Sequence, residues 1–453
     1  YDESNPECVD WQIKWAVENG IRCFLVDWYW VDGHRQLEHW LEAYRKARYR
    51  DDLQIALMWA NHNPPKTHSR QDWRRVTQHW IKRYFPLNTY YQLDGKPAMF
   101  IWSPQNIRDG LGGTSEVKKA LAESQAMAQQ AGYPGISFVA LGYGFSQSRI
   151  NTLLDEGYVG ITTYHEWGMA GQGATTGRAF QFNDVVRTAA AAWEQKQNRA
   201  DSLSYYPVVD TGWDSRPWHG EKSLVIAGRT PALFETLLEQ AKSFCQRNGK
   251  KMVVLGPVNE WGEGSYIEPC TEFGFSMLES VRRVFAKGDP AQWPVNVAPA
   301  DVGLGPYDFP VRPRVTAWTF DHDIQGWSPM MGMTDFSLHA GAARFRTITY
   351  DPAMVVGLQR VQASAFPKVA IRMQIIGKLP AGAIGQLFWS SGGRPLSGAA
   401  SVRFPLADDG QMHTYELDLA ANSRWRGQVT TLRFDPCPAK DVTVLLDHFE
   451  LRP

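Results

Sequence analysis

Two glutamates, Glu260 and Glu263, stand three residues apart in the segment GPVNEWGEGSY at positions 256–266. The segment follows the apolar run MVVL (252–255), which predicts a short buried strand ending at the Gly-Pro pair. Neighbouring carboxyl groups shift each other's pKa, so that one donates a proton while the other stays ionised. Glycoside hydrolysis requires such a pair. On its own the spacing is common in solvated loops, and its position after a buried strand is what favours a catalytic role.

The composition excludes several classes of protein. A chain of 453 residues predicts two domains. The 47 basic residues balance the 47 acidic ones, which leaves no electrostatic basis for binding nucleic acid or an anionic membrane. The longest apolar runs have strand length, so no membrane span is expected. The 19 tryptophans exceed what a core requires and suggest exposed platforms for stacking a ligand.

The cysteines and the chain start bear on the cellular compartment. The five cysteines (Cys8, Cys23, Cys245, Cys270 and Cys437) show no zinc spacing, so we expect mostly free buried thiols, with room for one disulfide. The chain begins at Tyr1 without a methionine, and no signal peptide is visible. We expect a secreted or periplasmic protein.

Seven apolar segments of strand length alternate with helical patterns over residues 1–287. The segments are 21–27, 53–58, 97–101, 136–141, 159–163, 206–209 and 252–255. This alternation predicts parallel strands joined by helical crossovers. The count is one short of a (β/α)8 TIM barrel and a helix precedes the first strand, so we expect the first barrel strand upstream of Tyr1. The alternative is a doubly wound open sheet. Such sheets often carry the dinucleotide-binding motif G-x-G-x-x-G between a strand and a helix, and this sequence has no such motif there.

Aromatic and polar residues follow nearly every predicted strand, and in a barrel these positions meet at the face where active sites are built. Aromatic rings stack on the CH faces of sugars while amides and carboxylates bind their hydroxyls. The predicted substrate-binding residues are Trp28, Trp30, Trp59, Asn61, His62, Tyr164, Glu166, Trp213, Asp214 and Trp261. Asn63, Trp102, Tyr143, His165 and Asp210 also stand at strand ends.

Several of these residues have plainer interpretations. Each tryptophan taken singly fits a core position, and Asp210 and Asp214 fit turns and helix caps as well as sugar binding. His62 and His165 lack partner spacing for a metal. Glu166 is the reserve carboxylate should the assignment of the Glu260 and Glu263 pair fail.

Six motifs occur in a fixed order along residues 10–280. They are DWYW (27–30), WANHN (59–63), DGKP (94–97), GWDSR (212–216), TP (230–231) and NEWGEG (259–264). Together they resemble the WbsX-like family, whose members are often described as glycosyltransferases of polysaccharide gene clusters. That family is similar to glycoside hydrolase family 99, the endo-α-mannosidases. The resemblance does not extend to the C-terminal third of the chain.

The resemblance implies roles for three residues, Glu260, Glu263 and Tyr164. In the hydrolase family the E-W-x-E-G motif carries both catalytic carboxylates on a (β/α)8 barrel. By this resemblance Glu260 deprotonates the sugar 2-hydroxyl, which gives a 1,2-anhydro intermediate and retention, and Glu263 acts first as general acid and then as base. Tyr164 looks like the tyrosine that steadies Glu260. The chain differs from the hydrolases at Gly262, where they often have histidine.

The remaining chain has a different pattern. Residues 288–313 are proline-rich and predict a semi-rigid linker. Residues 314–453 contain short segments of period two, which predict an antiparallel β-sandwich or jelly roll that resembles carbohydrate-binding modules. Trp327, Trp389 and Trp425 are candidates for a sugar platform, or else for its core. No cofactor is expected. Asp435 and Asp447 are either ligands of a structural calcium ion or plain surface carboxylates.

These patterns predict a retaining glycoside hydrolase that cleaves a polysaccharide or complex glycan. The alternatives are a glycosyltransferase of polysaccharide biosynthesis, which the WbsX description suggests, and a non-catalytic glycan-binding protein. A transferase needs a donor site, yet the sequence shows no glycine-rich phosphate cradle. Its D-x-D string, Asp321-His322-Asp323, falls in the β-rich region. The expected partner is an oligosaccharide or polysaccharide, without nucleic acid or membrane.

Overall fold

The structure is a computed structural model that describes residues 1–31, 33–62, 68–142, 144–167, 179–221, 223–308, 315–321, 324–391 and 394–453. The chain divides into two compact units, Tyr1–Phe309 and Pro310–Pro453. Among the described residues no helix is long and apolar enough to cross a membrane. All five cysteines are free thiols.

The first unit alternates strands with helices. Its strands are β1 (Cys23–Val31), β2 (His34–Gln36), β3 (Gln54–Trp59), β4 (Gln92–Leu93), β5 (Lys96–Ile101), β6 (Ser137–Leu141), β7 (Gly160–Thr162), β8 (Ala179–Gln181), β9 (Ser204–Tyr205), β10 (Val208–Val209), β11 (Trp213–Asp214), β12 (Val225–Ala227), β13 (Val254–Leu255), β14 (Asn259–Glu260) and β15 (Ser265–Tyr266). Its helices are α1 (Pro6–Glu18), α2 (His39–Tyr44), α3 (Arg70–Arg83), α4 (Pro104–Leu111), α5 (Thr114–Gln130), α6 (Gln147–Glu156), α7 (Phe182–Arg199), α8 (Arg216–His219), α9 (Pro231–Arg247) and α10 (Ser276–Phe285).

The parallel strands follow one another in chain order. β1, β3, β5, β6, β7 and β9 pair in this sequence, and β10 pairs with β13. A doubly wound sheet reverses its strand order, whereas an unbroken chain order is that of a (β/α)8 barrel. The predicted barrel architecture is therefore confirmed, and each of the seven predicted segments appears as a parallel strand.

Of the predicted strand 206–209 only Val208 and Val209 form a strand, β10, and a separate short strand, β9, ends at Tyr205 before Pro207. Proline has no backbone N–H and interrupts the ladder of hydrogen bonds. β9 pairs with β7, and β10 pairs with β13. The Pro207 carbonyl still accepts from the N–H of Val254 at 2.9 Å. One continuous segment thus connects the two parts of the parallel sheet.

Between β13 and β1 the described strands do not pair. Phe24 and Val26 of β1 and Val254 and Leu255 of β13 are only partly buried. The central strand β6 is buried along its whole length. The apolar faces of β1 and β13 therefore border the open side of the barrel.

Local signals set the helix boundaries. α9 begins at Pro231, where the Thr230 hydroxyl accepts from the N–H of Leu233 at 3.2 Å. Proline suits the first turn, because the N–H that it lacks would have no partner within the helix. α6 ends before Gly157, whose φ of 103° closes the helix in the left-handed conformation that glycine adopts readily.

The segment 288–308, predicted as linker, is held against the first unit. Trp15 Nε1 donates to the Val297 carbonyl at 3.0 Å, and Arg282 Nη1 donates to the Pro294 carbonyl at 2.7 Å. These bonds tie the segment to α1 and α10, so it belongs to the barrel unit, which the sequence had ended at residue 287. Residues 309–314 lie outside the described residues.

The second unit consists of antiparallel strands. They are β16 (Ala317–Trp318), β17 (Ser328–Met331), β18 (Met333–His339), β19 (Ala342–Thr347), β20 (Ala353–Gln362), β21 (Lys368–Ile376), β22 (Ile384–Ser391), β23 (Ser401–Pro405), β24 (Met412–Asp418), β25 (Gln428–Asp435) and β26 (Thr443–Arg452). One sheet has the order β18-β19-β26-β21-β24, with β16 beside β26, and the other has the order β17-β20-β25-β22-β23. Burial alternates along β22 and β26, as in two sheets that share one core. The predicted antiparallel sandwich is confirmed.

The three tryptophans proposed as a platform in this unit are core residues, so that prediction is wrong. Trp327 and Trp389 are fully buried, and Trp425 is 6% exposed. Trp425 Nε1 donates to the Ala363 carbonyl at 3.0 Å. Rings that are at most 6% exposed have no face left for a sugar.

The two aspartates suggested for calcium are each paired with an arginine. Asp435 accepts from Arg433 Nε at 2.8 Å, and Asp447 accepts from Arg372 Nη1 at 2.5 Å. The two carboxylates therefore already have cationic partners. The D-x-D string at 321–323 lies in part outside the described residues.

Candidate active site

The two glutamates lie on a tight hairpin that follows β13. β14 pairs antiparallel with β15, and a 3-10 turn over Trp261–Glu263 joins them. Glu260 ends β14 and Glu263 ends the turn, so one short loop carries both carboxyls. Gly264 closes the loop at φ 66°, and a Cβ there would lie 2.7 Å from the backbone N of Asp214. Conformation and space thus both require glycine at this position.

Burial raises the pKa of Glu260, and the negative charges of Glu263 and Glu3 raise it further, while His165 lowers it. Both glutamates of the pair are half-buried. The sequence predicted a raised pKa for the proton donor, Glu263, with Glu260 readily ionised. In the structure the pKa of Glu260 is raised, because its carboxyl is partly buried and lies near the acidic groups of Glu263 and Glu3.

A third carboxyl, Asp27, lies in the same place and was missed as a site residue. It follows the apolar residues of β1, and its Oδ2 accepts from the Tyr164 hydroxyl at 3.3 Å. Burial and the charges of Glu260 and Glu263 raise the pKa of Asp27 to about 7. The sequence signal was present, since Asp27 is the first polar residue after an apolar strand. Tyr164 therefore bonds to Asp27, where the resemblance had implied Glu260.

Tyr29 also belongs to the site. It lies two residues after Asp27 on the same face of β1, since side chains alternate along a strand. Burial, together with the charges of Asp27, Glu260 and Glu263, raises the pKa of Tyr29 to about 12. Its hydroxyl keeps its proton at neutral pH and can donate to a ligand.

Aromatic rings from several strand ends form a continuous row. The Tyr164 ring lies 4.7 Å from that of Trp102 and 4.9 Å from that of His165. The row extends to exposed His62, 4.9 Å from Trp102, and to half-buried Trp213, 4.8 Å from His165. The structure thus brings together residues that the sequence placed at the ends of different strands. Asn63 and Tyr143 lie outside the described residues.

Two buried polar residues stabilise the end of β10. His165 Nδ1 lies 2.9 Å from Asp210 Oδ2, and Asp210 Oδ1 accepts from the N–H of Gly212 at 2.8 Å. His165 Nε2 is buried and has no hydrogen-bond partner among the residues that the structure describes. In the described part of the chain no group of three or more His, Cys, Asp or Glu residues is arranged to hold a metal ion.

Glu166, the reserve carboxylate, has a structural partner. Its carboxylate forms a buried ion pair with Lys196 of α7, with side-chain exposures of 4% and 16%. Burial lowers the pKa of Lys196 to about 8. The pair connects α7 to the segment that follows β7.

Four more predicted ligands are core residues, and their prediction as sugar-binding residues is wrong. Trp28, Trp30 and Trp59 are at most 5% exposed, and their rings pack among the helices around the sheet. The Asn61 amide is fully buried, where it donates to the Ser103 carbonyl at 2.9 Å and accepts from the Ser103 N–H at 2.7 Å. It ties the end of β3 to the end of β5.

Asp214 lies beside the glutamate hairpin and is paired. Its Oδ2 accepts from Arg216 Nη2 at 2.6 Å, and its Oδ1 accepts from Arg216 Nε at 2.9 Å. This bidentate pair lowers the pKa of Asp214. Asp214 therefore holds the loop from β11 to α8 in place.

Glu268 supports the hairpin from behind. It is 4% exposed and accepts from Trp261 Nε1 at 3.1 Å, from Gln12 Nε2 at 2.8 Å and from the Tyr1 hydroxyl at 2.5 Å. Burial raises the pKa of Glu268 to about 7. A cavity of about 400 Å³ lies on its other side, against α1 and residues 298–308, away from Glu260 and Glu263. In the sequence, only the short distance between Glu268 and the NEWGEG motif (259–264) indicated this supporting role.

Comparison with known proteins gives a family and two relatives. The model of the family described as glycosyltransferase WbsX matches residues 1–281. Two proteins, both named uncharacterized protein WxcX and from strains of Xanthomonas campestris pv. campestris, are 22% identical over 312 residues. The match covers 63% of this chain and 42% of each relative, so the chain spans less than half the length of these relatives.

Solved structures show weaker likeness. The GH99 endo-α-mannosidase of Bacteroides thetaiotaomicron is 18% identical, with 62% of this chain and 80% of that chain covered at a TM-score of 0.44. A glycoside hydrolase-like protein is 16% identical, with 64% and 88% covered at a TM-score of 0.47. The xylan-binding module CBM86 from Roseburia intestinalis is 14% identical, with 30% and 92% covered at a TM-score of 0.21. No residue role follows from likeness at this level.

The family match covers the whole run of barrel strands and ends after the glutamate hairpin. It includes more than half of the chain. The chain therefore belongs to the glycosyltransferase WbsX family.

Proposed function

We propose that the chain is a carbohydrate-active enzyme that acts as a retaining glycoside hydrolase on a polysaccharide or complex glycan. The observation that carries the proposal is the hairpin, which places Glu260 and Glu263 beside Asp27, Tyr29 and Tyr164 at the strand ends. Hydrolysis of a glycosidic bond needs one carboxyl that donates a proton and one that accepts a proton or attacks. Membership of the WbsX family supports carbohydrate chemistry.

The proposed reaction has two steps. In the first, Glu260 takes the proton of the sugar 2-hydroxyl, the 2-oxygen attacks C1, and the C1–O bond to the leaving group breaks as Glu263 protonates that oxygen. In the second, Glu263 takes a proton from water, which attacks C1 and opens the 1,2-anhydro ring, while Glu260 returns its proton to the 2-oxygen. Two inversions at C1 give retention. The raised pKa of Glu260 makes it a stronger base than an exposed glutamate.

A glycosyltransferase is the second candidate, because the family description favours it. The same carboxyl pair serves transfer if a sugar hydroxyl replaces water in the second step. The two candidates differ in the acceptor and therefore in their products. Hydrolysis releases reducing ends, whereas transfer lengthens or rearranges a glycan.

A digestion screen tests the proposal. The full chain is incubated with a panel of neutral and charged polysaccharides, and the products are analysed by mass spectrometry and for reducing ends. We expect cleavage of at least one glycan, with a loss of about 10²–10⁴-fold in Glu263→Gln and a comparable loss in Glu260→Gln. Exposed Glu239 on α9 gives the matched control, since Glu239→Gln should keep full activity. Transfer products without released reducing ends would favour the second candidate, and cleavage unaffected by either active-site substitution would refute the assignment.

A further inference from the structure

Two of the nineteen tryptophans are exposed, and both lie against the glutamate hairpin. Trp218 of α8 is 70% exposed and Trp261 is 40% exposed, whereas the other tryptophans are buried or partly buried. An isolated exposed aromatic residue needs no explanation. Two exposed tryptophans on either side of Gly262, which lies between the proposed catalytic glutamates, do need an explanation.

Trp218 occupies the space of the side chain that Gly262 lacks. A Cβ built at position 262 would lie 2.6 Å from Cε2 and 2.9 Å from Cζ2 of the Trp218 ring, with Nε1 nearer still. Gly262 does not have a positive φ, so the backbone conformation does not demand glycine here. The close approach of the Trp218 ring does demand it. The Trp218 ring therefore covers the turn between Glu260 and Glu263.

Trp261 is held in place on the other side of Gly262. Its ring stacks on that of Tyr266 at 4.3 Å with an angle of 20°, and its Nε1 donates to Glu268 at 3.1 Å. These contacts fix the orientation of the ring while part of it stays in solvent. A fixed ring loses little conformational entropy when a ligand stacks on it.

We propose that Trp218 and Trp261 form a stacking subsite for a neutral pyranose unit of an oligosaccharide chain, next to the bond that is cleaved. This inference rests on the proposed function and names its substrate class. Aromatic faces bind the CH faces of sugar rings. Asp27, Glu260 and Glu263 repel anionic sugars such as uronates, and Arg216 on α8 is already paired with Asp214.

The oxidation of individual tryptophans, measured with and without glycan, tests whether the subsite binds a sugar, and it does not depend on catalysis. Full-length Glu263→Gln protein is treated with limiting N-bromosuccinimide, and the oxidation of each tryptophan is measured by peptide mass spectrometry. The probes are α-mannan, dextran, xylan and laminarin, with polygalacturonate as the anionic contrast. We expect Trp218 and Trp261 to oxidise first, and at least one neutral glycan to protect both while polygalacturonate protects neither. Equal oxidation with and without every neutral glycan would overturn the proposal, as would protection by polygalacturonate.

Kinetics separates this inference from the proposed function. On a glycan that the screen shows to be cleaved, Trp218→Ala should lower kcat/KM by about 2- to 13-fold for long and short chains alike, because every cleaved substrate has a sugar next to the bond that is cleaved. Trp218→Phe should restore most of the loss. No effect of Trp218→Ala, or a loss that Trp218→Phe does not restore, would refute the subsite while the hydrolase assignment stands. If no glycan is cleaved, the hydrolase assignment fails and the oxidation experiment alone decides the subsite.

Discussion

Replacing Asp27 by asparagine should stabilise the protein at alkaline pH and leave it unchanged near pH 4. The pKa of Asp27 is raised from its ordinary 3.8 to about 7 by burial, by Glu260 and by Glu263, so the folded state disfavours its ionised form. Below pH 4 the carboxyl is protonated in both folded and unfolded chains, and it contributes no difference. Between pH 4 and 7 the folded chain binds more protons than the unfolded chain, so stability falls as pH rises. The amide introduced by Asp27→Asn never ionises, and its carbonyl oxygen keeps the bond from Tyr164.

The expected magnitude follows from the same shift. About three pKa units at 1.36 kcal/mol each give an upper bound of about 4 kcal/mol. Solvent reaches part of the side chain, so we expect about 2–4 kcal/mol at pH 8. The gain should be reached in full above pH 7, after rising from near zero at pH 4.

The assay is urea denaturation of the wild type and Asp27→Asn between pH 4 and 9, followed by tryptophan fluorescence. Asp155→Asn is the control, because Asp155 is exposed on α6 and pairs with exposed Lys118. It should change the unfolding free energy by at most about 1 kcal/mol at any pH. If the two curves for wild type and Asp27→Asn stay parallel across this pH range, Asp27 does not titrate as a buried acid and the reasoning fails.

Two further substitutions test the contacts that hold the site. Lys196→Met leaves the carboxylate of Glu166 buried without its cation and should lower the unfolding free energy by about 3–5 kcal/mol, whereas Lys196→Met combined with Glu166→Gln should recover much of this in the same denaturation assay. Glu268→Ala removes the acceptor shared by Trp261, Gln12 and Tyr1, and each buried donor left without a partner costs about 1–3 kcal/mol. We expect Glu268→Ala to lower kcat/KM and to raise acrylamide quenching of fluorescence, and unchanged quenching would contradict the role of Glu268 as a support of Trp261.

The parallel strands and the end of the strand before the glutamate pair were predictable, because they depend on local patterns. Apolar runs of strand length separated by helical patterns indicate parallel strands, and the Gly-Pro pair after residue 255 marks the end of a strand. The division around Pro207 was less visible, since it depends on which neighbours each half meets. The packing of residues 288–308 was missed for a related reason: proline-rich composition does not reveal a partner such as Trp15 of α1.

The tryptophan assignments failed at a point where sequence alone is ambiguous. Residues of a parallel strand are apolar on both faces, so composition does not tell which face lines the barrel. Trp28 and Trp30 share one face of β1, and Trp28 is in register with Trp59 of β3, which places all three on the side covered by helices. Asp27 and Tyr29 take the other face. Strict alternation from Asp27 would have found Tyr29 and excluded its two neighbours.

The protonation of the carboxyls near the glutamate hairpin depends partly on residues outside the NEWGEG motif. Burial raises the pKa of Glu260, and the charges of Glu263 and Glu3 raise it further, while burial followed by the charges of Glu260 and Glu263 raises the pKa of Asp27 within β1. Glu3 and Asp27 lie more than two hundred residues before the glutamate pair in sequence, and the fold brings them close to it. Because the pKa of Asp27 is raised to about 7, this carboxyl is partly protonated near neutral pH. The protonation of Asp27 therefore depends on the fold, which is why the motif alone could locate the glutamate pair but not the protonation of the carboxyl beside it.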